Sequence, residues 1–142
     1  MNLIKFFALL TILLLIFAMP VYSQSQEAQN ALIWLSTSQN DTGSWYTSQT
    51  SLTTEYFTTV TVLDTYKSLG ITDTPSFQNG IQWVNAVSIE STPYISHKIT
   101  TLSNAGITNT TDVDTLIAYK NTDGGWGLQI GDDSCVYMTA KL

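Results

Sequence analysis

The fold is decided by residues 34–45, which read WLSTSQNDTGSW. A related stretch, residues 120–126, reads KNTDGGW, and its Trp126 follows Trp45 by 81 positions. Between them, residues 80–84 read GIQWV, where an aromatic residue precedes an aliphatic one, as at the start of the first stretch. Self-similarity at a period of about 40 residues is typical of repeats that bury a core between neighbouring units.

Each residue type in this motif has a physical reason to be there. Gly43 and Gly124 permit backbone angles that a side chain would oppose, as a chain turning between two helices requires. Tryptophan can pack a large ring between hairpins and donate its indole N–H, and a glutamine amide can bond to carbonyls at a helix end. We therefore expect structural roles for the motif residues, which are Trp34, Gln39, Gly43, Trp45, Trp83, Gly124, Gly125 and Trp126.

Apolar spacing and turn residues predict six helices in three pairs. The first five are expected over residues 26–37, 53–69, 76–87, 94–104 and 111–120, and the sixth begins at 133 or 134 and still runs at 142. Ser76 and either Thr111 or Asp112 are the expected N-caps of the third and fifth helices. Gly70 and Gly106, each followed by Ile, are expected to end the second and fourth helices in the left-handed conformation.

The motif resembles the QW repeat of the squalene and oxidosqualene cyclases, which reads aromatic, aliphatic, three residues, Gln, a short spacer, Gly, any residue, Trp. Residues 34–45 match it throughout, residues 80–84 match its front half, and residues 124–127 match its back half, with Lys120 in place of Gln. The resemblance to this squalene-cyclase and prenyltransferase superfamily implies an all-α domain over residues 24–142. That domain would be an α/α toroid-like array of about three hairpins, which is a partial ring.

The N-terminal residues have the order of a secretory signal peptide. Lys5 is followed by an apolar run over residues 6–18, then by Pro20 and by small residues that suit cleavage after Ser23. The run is shorter than the roughly 20 residues of a membrane-spanning helix, so an uncleaved anchor is the weaker alternative. The sequence thus predicts an exported protein, secreted or in the cell envelope, with residues 1–23 removed and no stable membrane span.

Charge and composition exclude some partners. Eleven acidic residues face five Lys, Arg is absent, and the formal net charge is −6. Nucleic acids and anionic membranes both attract clustered basic residues, so neither is an expected partner. No pattern for a cofactor is present, and the single Cys135 cannot form an internal disulfide.

Two sets of residues could carry chemistry. Asp112 and Asp114 resemble part of the DxDD acid motif of squalene-hopene-type cyclases, where a carboxylic acid protonates an alkene. Thr115 departs from that motif, and an aspartate at a helix start is more simply explained by capping and the helix dipole.

Asp133 and Cys135 resemble two zinc ligands of the protein prenyltransferase β subunits. Catalytic zinc needs three protein ligands, and the family's third ligand is a downstream histidine, whereas His97 lies upstream. No metal is therefore predicted.

These observations favour a non-catalytic helical-repeat protein that binds a protein, peptide or lipid partner. The alternative is the N-terminal part of an exported terpene-cyclase-like or prenyltransferase-like enzyme. Self-association through the open edge formed by the last helix is a third hypothesis. A fold-level resemblance does not identify a reaction.

Overall fold

The computed structural model describes residues 25–46 and 51–141, and this part of the chain contains helices and no strand. The all-α prediction is therefore confirmed for these residues, while the proposed signal peptide lies outside them. The six helices are α1 Gln26–Thr37, α2 Leu52–Ser68, α3 Pro75–Ala86, α4 Thr92–Asn104, α5 Thr110–Ala118 and α6 Val136–Thr139. None of the described helices is both long and apolar enough to cross a membrane.

The chain divides into two compact units, Met1–Ile33 and Trp34–Leu142. In the first unit, the structure describes residues 25–33, which include the N-terminal part of α1. There the Ser25 hydroxyl accepts a hydrogen bond from the N–H of Ala28 at 3.3 Å. In the second unit, α2 packs on α3 and α4, α3 packs on α4, and α4 packs on α5. Within this unit, helices that follow each other in the chain from α2 to α5 are thus neighbours.

The core of the second unit is formed by α2, α3 and α4. Its most deeply buried apolar side chains are Tyr56, Val60, Leu63, Ile81, Val84, Ile95 and Leu102. The seven-residue gap from Tyr56 to Leu63 and from Ile95 to Leu102 places each pair on one helix face. Burial of this face overrides the strand preference of the threonine-rich α2 sequence.

The exposed threonines of α2 also satisfy their own hydroxyls. Thr58, Thr61 and Thr65 each donate to the carbonyl four residues earlier, at 2.8–2.9 Å. Such bonds let threonine remain in a helix without competing for a backbone donor.

The predicted N-caps were wrong by a few residues. Thr74, not Ser76, caps α3, because its hydroxyl accepts from the N–H of Phe77 at 3.3 Å. Asn109, not Thr111 or Asp112, caps α5, and its side-chain oxygen accepts from the N–H of Asp112 at 3.0 Å.

The glycine-ended helices are confirmed. Gly70 and Gly106 have φ of 70° and 78°. The N–H of Ile71 bonds back to the carbonyl of Tyr66, and the N–H of Ile107 bonds to that of Leu102, both at 2.9 Å. This six-to-one bond is the Schellman arrangement at a helix C-terminus.

The prediction for the sixth helix was wrong in length. Helix α6 covers four residues, Val136–Thr139, and Cys135 before it provides no side-chain cap. The hydroxyl of Thr139 accepts from the N–H of Trp126 at 3.1 Å, and the carbonyl of Lys141 accepts from the Ser96 hydroxyl at 3.2 Å. This segment is therefore bonded both to the preceding loop and to α4.

Helices α1 and α3 are equivalent in register. Their first residues and their last residues are both separated by 49 positions. The cap bond from Ala28 to Ser25 recurs from Phe77 to Thr74, also at 3.3 Å. The two helices therefore correspond residue by residue.

Candidate functional site

Gly43 sits in a tight turn after α1. The N–H of Gly43 donates to the carbonyl of Asn40 at 2.8 Å, and the N–H of Asn40 donates to the carbonyl of Ser44 at 2.9 Å. Gly43 has a φ of 96°, in the left-handed region that favours glycine. A Cβ at this position would lie 2.5 Å from the carbonyl oxygen of Asn79 in α3. The glycine thus allows both the turn and its close approach to the next helix.

Trp45, which follows the turn at residues 40–44, is buried against the helices after it, with 3% of its surface exposed. Its indole N–H donates to the carbonyl of Leu35 at 2.7 Å, and its backbone N–H donates to the hydroxyl of Thr59 at 3.0 Å. Its ring packs so closely on Gly80 that a Cβ there would lie 2.7 Å from a ring carbon. The Trp45 ring therefore packs on α3 at Gly80.

The amide of Gln39 connects the turn to α3. Its nitrogen donates to the carbonyls of Gly43 and Ser76, both at 2.8 Å. Ser76 lies in the first turn of α3. The Gln39 amide thus joins the turn after α1 to the start of α3.

The second loop, residues 120–126, repeats the backbone bonds of the first loop, residues 39–45, 81 positions later in the chain. The N–H of Gly124 donates to the carbonyl of Asn121 at 3.0 Å, and that of Asn121 donates to the carbonyl of Gly125 at 2.9 Å. The indole N–H of Trp126 donates to the carbonyl of Leu116 at 2.7 Å, the position equivalent to Leu35. The two loops are therefore structural repeats of each other, including the left-handed Gly124, whose φ is 88°.

The surroundings of the two tryptophans differ. Trp126 is half-buried, and the ammonium of Lys120 lies 5.2 Å from its ring centroid. Lys120 stands where the first loop has Gln39. A Cβ on Gly124 would meet no atom closer than 3.9 Å. The second loop therefore has the backbone bonds of the first, but Gly124 and Trp126 are packed less closely than Gly43 and Trp45.

Gly125 and Asp123 shape the second loop. The Asp123 carboxylate accepts from the N–H of Gly125 at 3.0 Å and from the hydroxyl of Ser134 at 2.7 Å. A Cβ on Gly125 would lie 2.7 Å from the Ser134 side chain. Glycine at 125 thus makes room for the Asp123–Ser134 contact.

These two bonds give the loop a pH dependence. The hydrogen bonds from Gly125 and then from Ser134 hold the pKa of Asp123 below its ordinary value of 3.8. A lowered folded pKa means that the stabilisation is present above the unfolded pKa and is lost as pH falls through the folded pKa. We expect the NMR signals of the Asp123 carboxyl and the Gly125 amide to titrate together below pH 3.8. The variant Ser134→Ala should move that midpoint up, and an unchanged midpoint would contradict the assignment.

The remaining two motif tryptophans have other positions. Trp83 is half-buried in α3, and its carbonyl accepts from the N–H of Val87 at 2.9 Å. Trp34 is 61% exposed near the end of α1. Its position at the front of the motif therefore does not bury it.

Trp34 lines an apolar cavity of about 360 Å³ between the end of α1 and α2. Tyr46, which the sequence reasoning did not single out, is 39% exposed on its wall. The lining residues are Trp34, Leu35, Ser38, Trp45, Tyr46, Thr58 and Val62. The volume is within the range of small-ligand sites, about 300–1,000 Å³. The cavity is therefore large enough to hold one apolar group of a ligand.

The candidate acid Asp112 is engaged in a polar cluster. Its carboxylate lies 2.8 Å from the ammonium of Lys98 and accepts from the amide of Asn109 at 2.6 Å. Lys98 is 4% exposed and also donates to the carbonyl of Val87 at 2.7 Å. The cluster joins the end of α3, the middle of α4 and the start of α5. Asp114 is exposed and lies outside it.

Tyr56 adjoins the same region. Its hydroxyl donates to the carbonyl of Tyr94 at 3.0 Å. Burial, and then the negative charges of Asp112 and Asp64, raise the pKa of the Tyr56 hydroxyl. It is therefore a neutral donor at physiological pH, and its visible role is to hold α2 against α4.

The zinc-like pair does not form a metal site with other described residues. Asp133 and Cys135 are both exposed. Within residues 25–46 and 51–141, no three His, Cys, Asp or Glu side chains come together as metal ligands. His97 instead lies 3.3 Å from the carboxylate of Asp64.

Sequence reasoning missed Lys98 and Tyr46. Lys98 occupies an ordinary helical position, and only the fold reveals its burial. Tyr46 directly follows the motif, so its adjacency to Trp45 was the available signal. Comparisons of the chain with family models, with curated proteins and with solved structures find no match.

Proposed function

We propose that this chain is an exported helical-hairpin module that binds a peptide segment through the cavity between α1 and α2. The cavity carries the proposal, because two partly exposed aromatic side chains, Trp34 and Tyr46, stand over an apolar floor. Exposed aromatic groups around a desolvated pocket are typical of binding hot spots. The α/α toroid arrangement is part of the same proposal and rests on the resemblance of residues 34–45 to the QW repeat. A non-catalytic role is also part of it and is supported by the contact of the Asp112 carboxylate with the Lys98 ammonium.

The occupant we propose is an extended, net-positive peptide carrying one large apolar side chain. The cavity volume of about 360 Å³ suits one such side chain with flanking backbone. The chain has a net charge of −6, and Asp41 is exposed in the loop that joins Ser38 to Trp45. Complementary charge would favour a basic peptide over an anionic lipid.

The test is a selection of random peptides on the chain as its host produces it. Its intact mass, measured first, shows whether residues 1–23 have been removed, as the predicted signal peptide implies. Selected peptides should combine Lys or Arg with a large apolar residue. Trp34→Ala should weaken their binding by about 2 kcal/mol, roughly thirtyfold, as loss of an aromatic hot spot does. Isothermal titration calorimetry measures this change.

The matched control is Tyr137→Ala. Tyr137 is exposed to the same extent as Trp34, 61%, but lines a different cavity. Binding should be unchanged in this variant. Equal losses in both variants, or selected peptides without an apolar residue, would contradict the proposal.

A further inference from the structure

The first loop shows how a loop of this type docks on the next helix. The Trp45 ring covers Gly80, where only a glycine-sized residue fits beneath it. The Gln39 amide reaches the first turn of α3 and bonds to the carbonyl of Ser76. These contacts define a receiving surface on α3, namely a backbone carbonyl in the first turn and a glycine one turn later.

Helix α1 presents the same receiving positions. The 49-residue register of α1 and α3 pairs Ser76 with Glu27 and Gly80 with Ala31. Glu27 and Ala31 are both exposed. Ala31 carries one methyl group where α3 has Gly80, so a tryptophan ring docked over it would lie farther from the helix than the Trp45 ring lies from Gly80. Glu27 places a negative charge in the first turn.

The second loop presents the complementary groups. Its Trp126 ring is half-buried, and Lys120 is exposed at the position of Gln39. Asn121, Gly124 and Trp126 make the same internal bonds as their counterparts in the first loop. The loop is therefore already folded in the form that docks on a helix.

We propose that a second copy of this chain docks its α1 on loop 120–126, head to tail, with Trp126 over Ala31 and Lys120 beside Glu27. Two features favour a copy of the chain as the occupant. Lys120 and Glu27 have opposite charges, and Ala31 has the smallest side chain after glycine at the position that the ring would cover. In the first loop, the neutral Gln39 amide donates to the backbone carbonyl of Ser76. In the proposed contact, the Lys120 ammonium would instead donate to the Glu27 carboxylate.

This contact joins two different surfaces, so a pair of copies keeps one free α1 on one copy and one free loop 120–126 on the other. Such a heterologous interface adds further copies until a ring closes, or else continues as a filament. The self-association expected at the last helix is thereby placed on the loop before it. The inference is independent of the peptide cavity.

The test is analytical sedimentation of the chain as its host produces it, over a wide concentration range. The intact mass of every variant is measured first, so that chains with the same N-terminus are compared. The mean mass should rise with concentration. Lys120→Glu and Glu27→Lys, each placing like charges together, should each raise the dissociation constant about tenfold. The double variant Lys120→Glu, Glu27→Lys restores opposite charges and should return to the original value.

The matched control is Lys67→Glu, an exposed lysine in the last turn of α2 that undergoes the same charge reversal. It should leave association unchanged. A chain that stays monomeric at every concentration would overturn the proposal and leave loop 120–126 for another partner. Association that the single variants do not weaken, or that the double variant does not restore, would also overturn it.

Discussion

Replacing Gly43 by alanine is expected to lower the free energy of unfolding by about 3 kcal/mol, from two independent causes. The first is conformational, because an alanine at a φ of 96° is strained. The second is steric, because the new Cβ would lie 2.5 Å from the carbonyl oxygen of Asn79. That oxygen belongs to the backbone of α3, so it cannot rotate away as a flexible side chain could. Urea unfolding followed by circular dichroism measures the loss.

Gly70→Ala separates the two causes. Gly70 also has a left-handed φ, 70°, but a Cβ there would meet nothing within 4 Å. Its substitution should cost only the conformational part, about 1 kcal/mol. If Gly43→Ala and Gly70→Ala cost the same, the close approach of the turn to α3 would be contradicted.

This pair of glycines shows what the sequence could and could not predict. The left-handed turns at Gly43 and Gly70 follow from local rules, since a glycine after a helical pattern indicates such a conformation. The contact with Asn79 joins residues far apart in the chain, and no periodicity encodes it. The bounds of α1 were predicted to the residue, whereas the caps of α3 and α5 were misplaced because several adjacent residues could cap.

The two tryptophan loops illustrate the same limit. Their shared motif predicts a repeat, and their backbone bonds agree 81 residues apart. Their burial differs because burial depends on which helix follows, not on the loop itself. The cavity beside Trp34 was likewise unpredictable, because it depends on how α2 packs against the end of α1.

Asp112→Ala should be a second strongly destabilising substitution, costing about 3 kcal/mol, as breaking a buried ion pair does. Lys98 is 4% exposed and its ammonium lies 2.8 Å from the Asp112 carboxylate. Without Asp112 that buried charge would keep only the carbonyl of Val87, at 2.7 Å, as a partner. The expected result is a lower midpoint in urea at an unchanged denaturant slope. The double variant Lys98→Met, Asp112→Ala should recover part of the loss, because it removes the unpaired charge.

Asp114→Ala provides the comparison, because Asp114 is the other aspartate of the acid-like motif and is exposed on the same helix. Its substitution should change stability by less than about 0.5 kcal/mol. A large loss for Asp112 beside a silent Asp114 would mean that the Asp112 carboxylate holds α5 against α4. The Asp112 carboxylate oxygen that contacts the buried ammonium also accepts from the Asn109 amide, so that oxygen is engaged within the fold. Equal, small losses for both would contradict the structural role and return Asp112 to consideration as an acid.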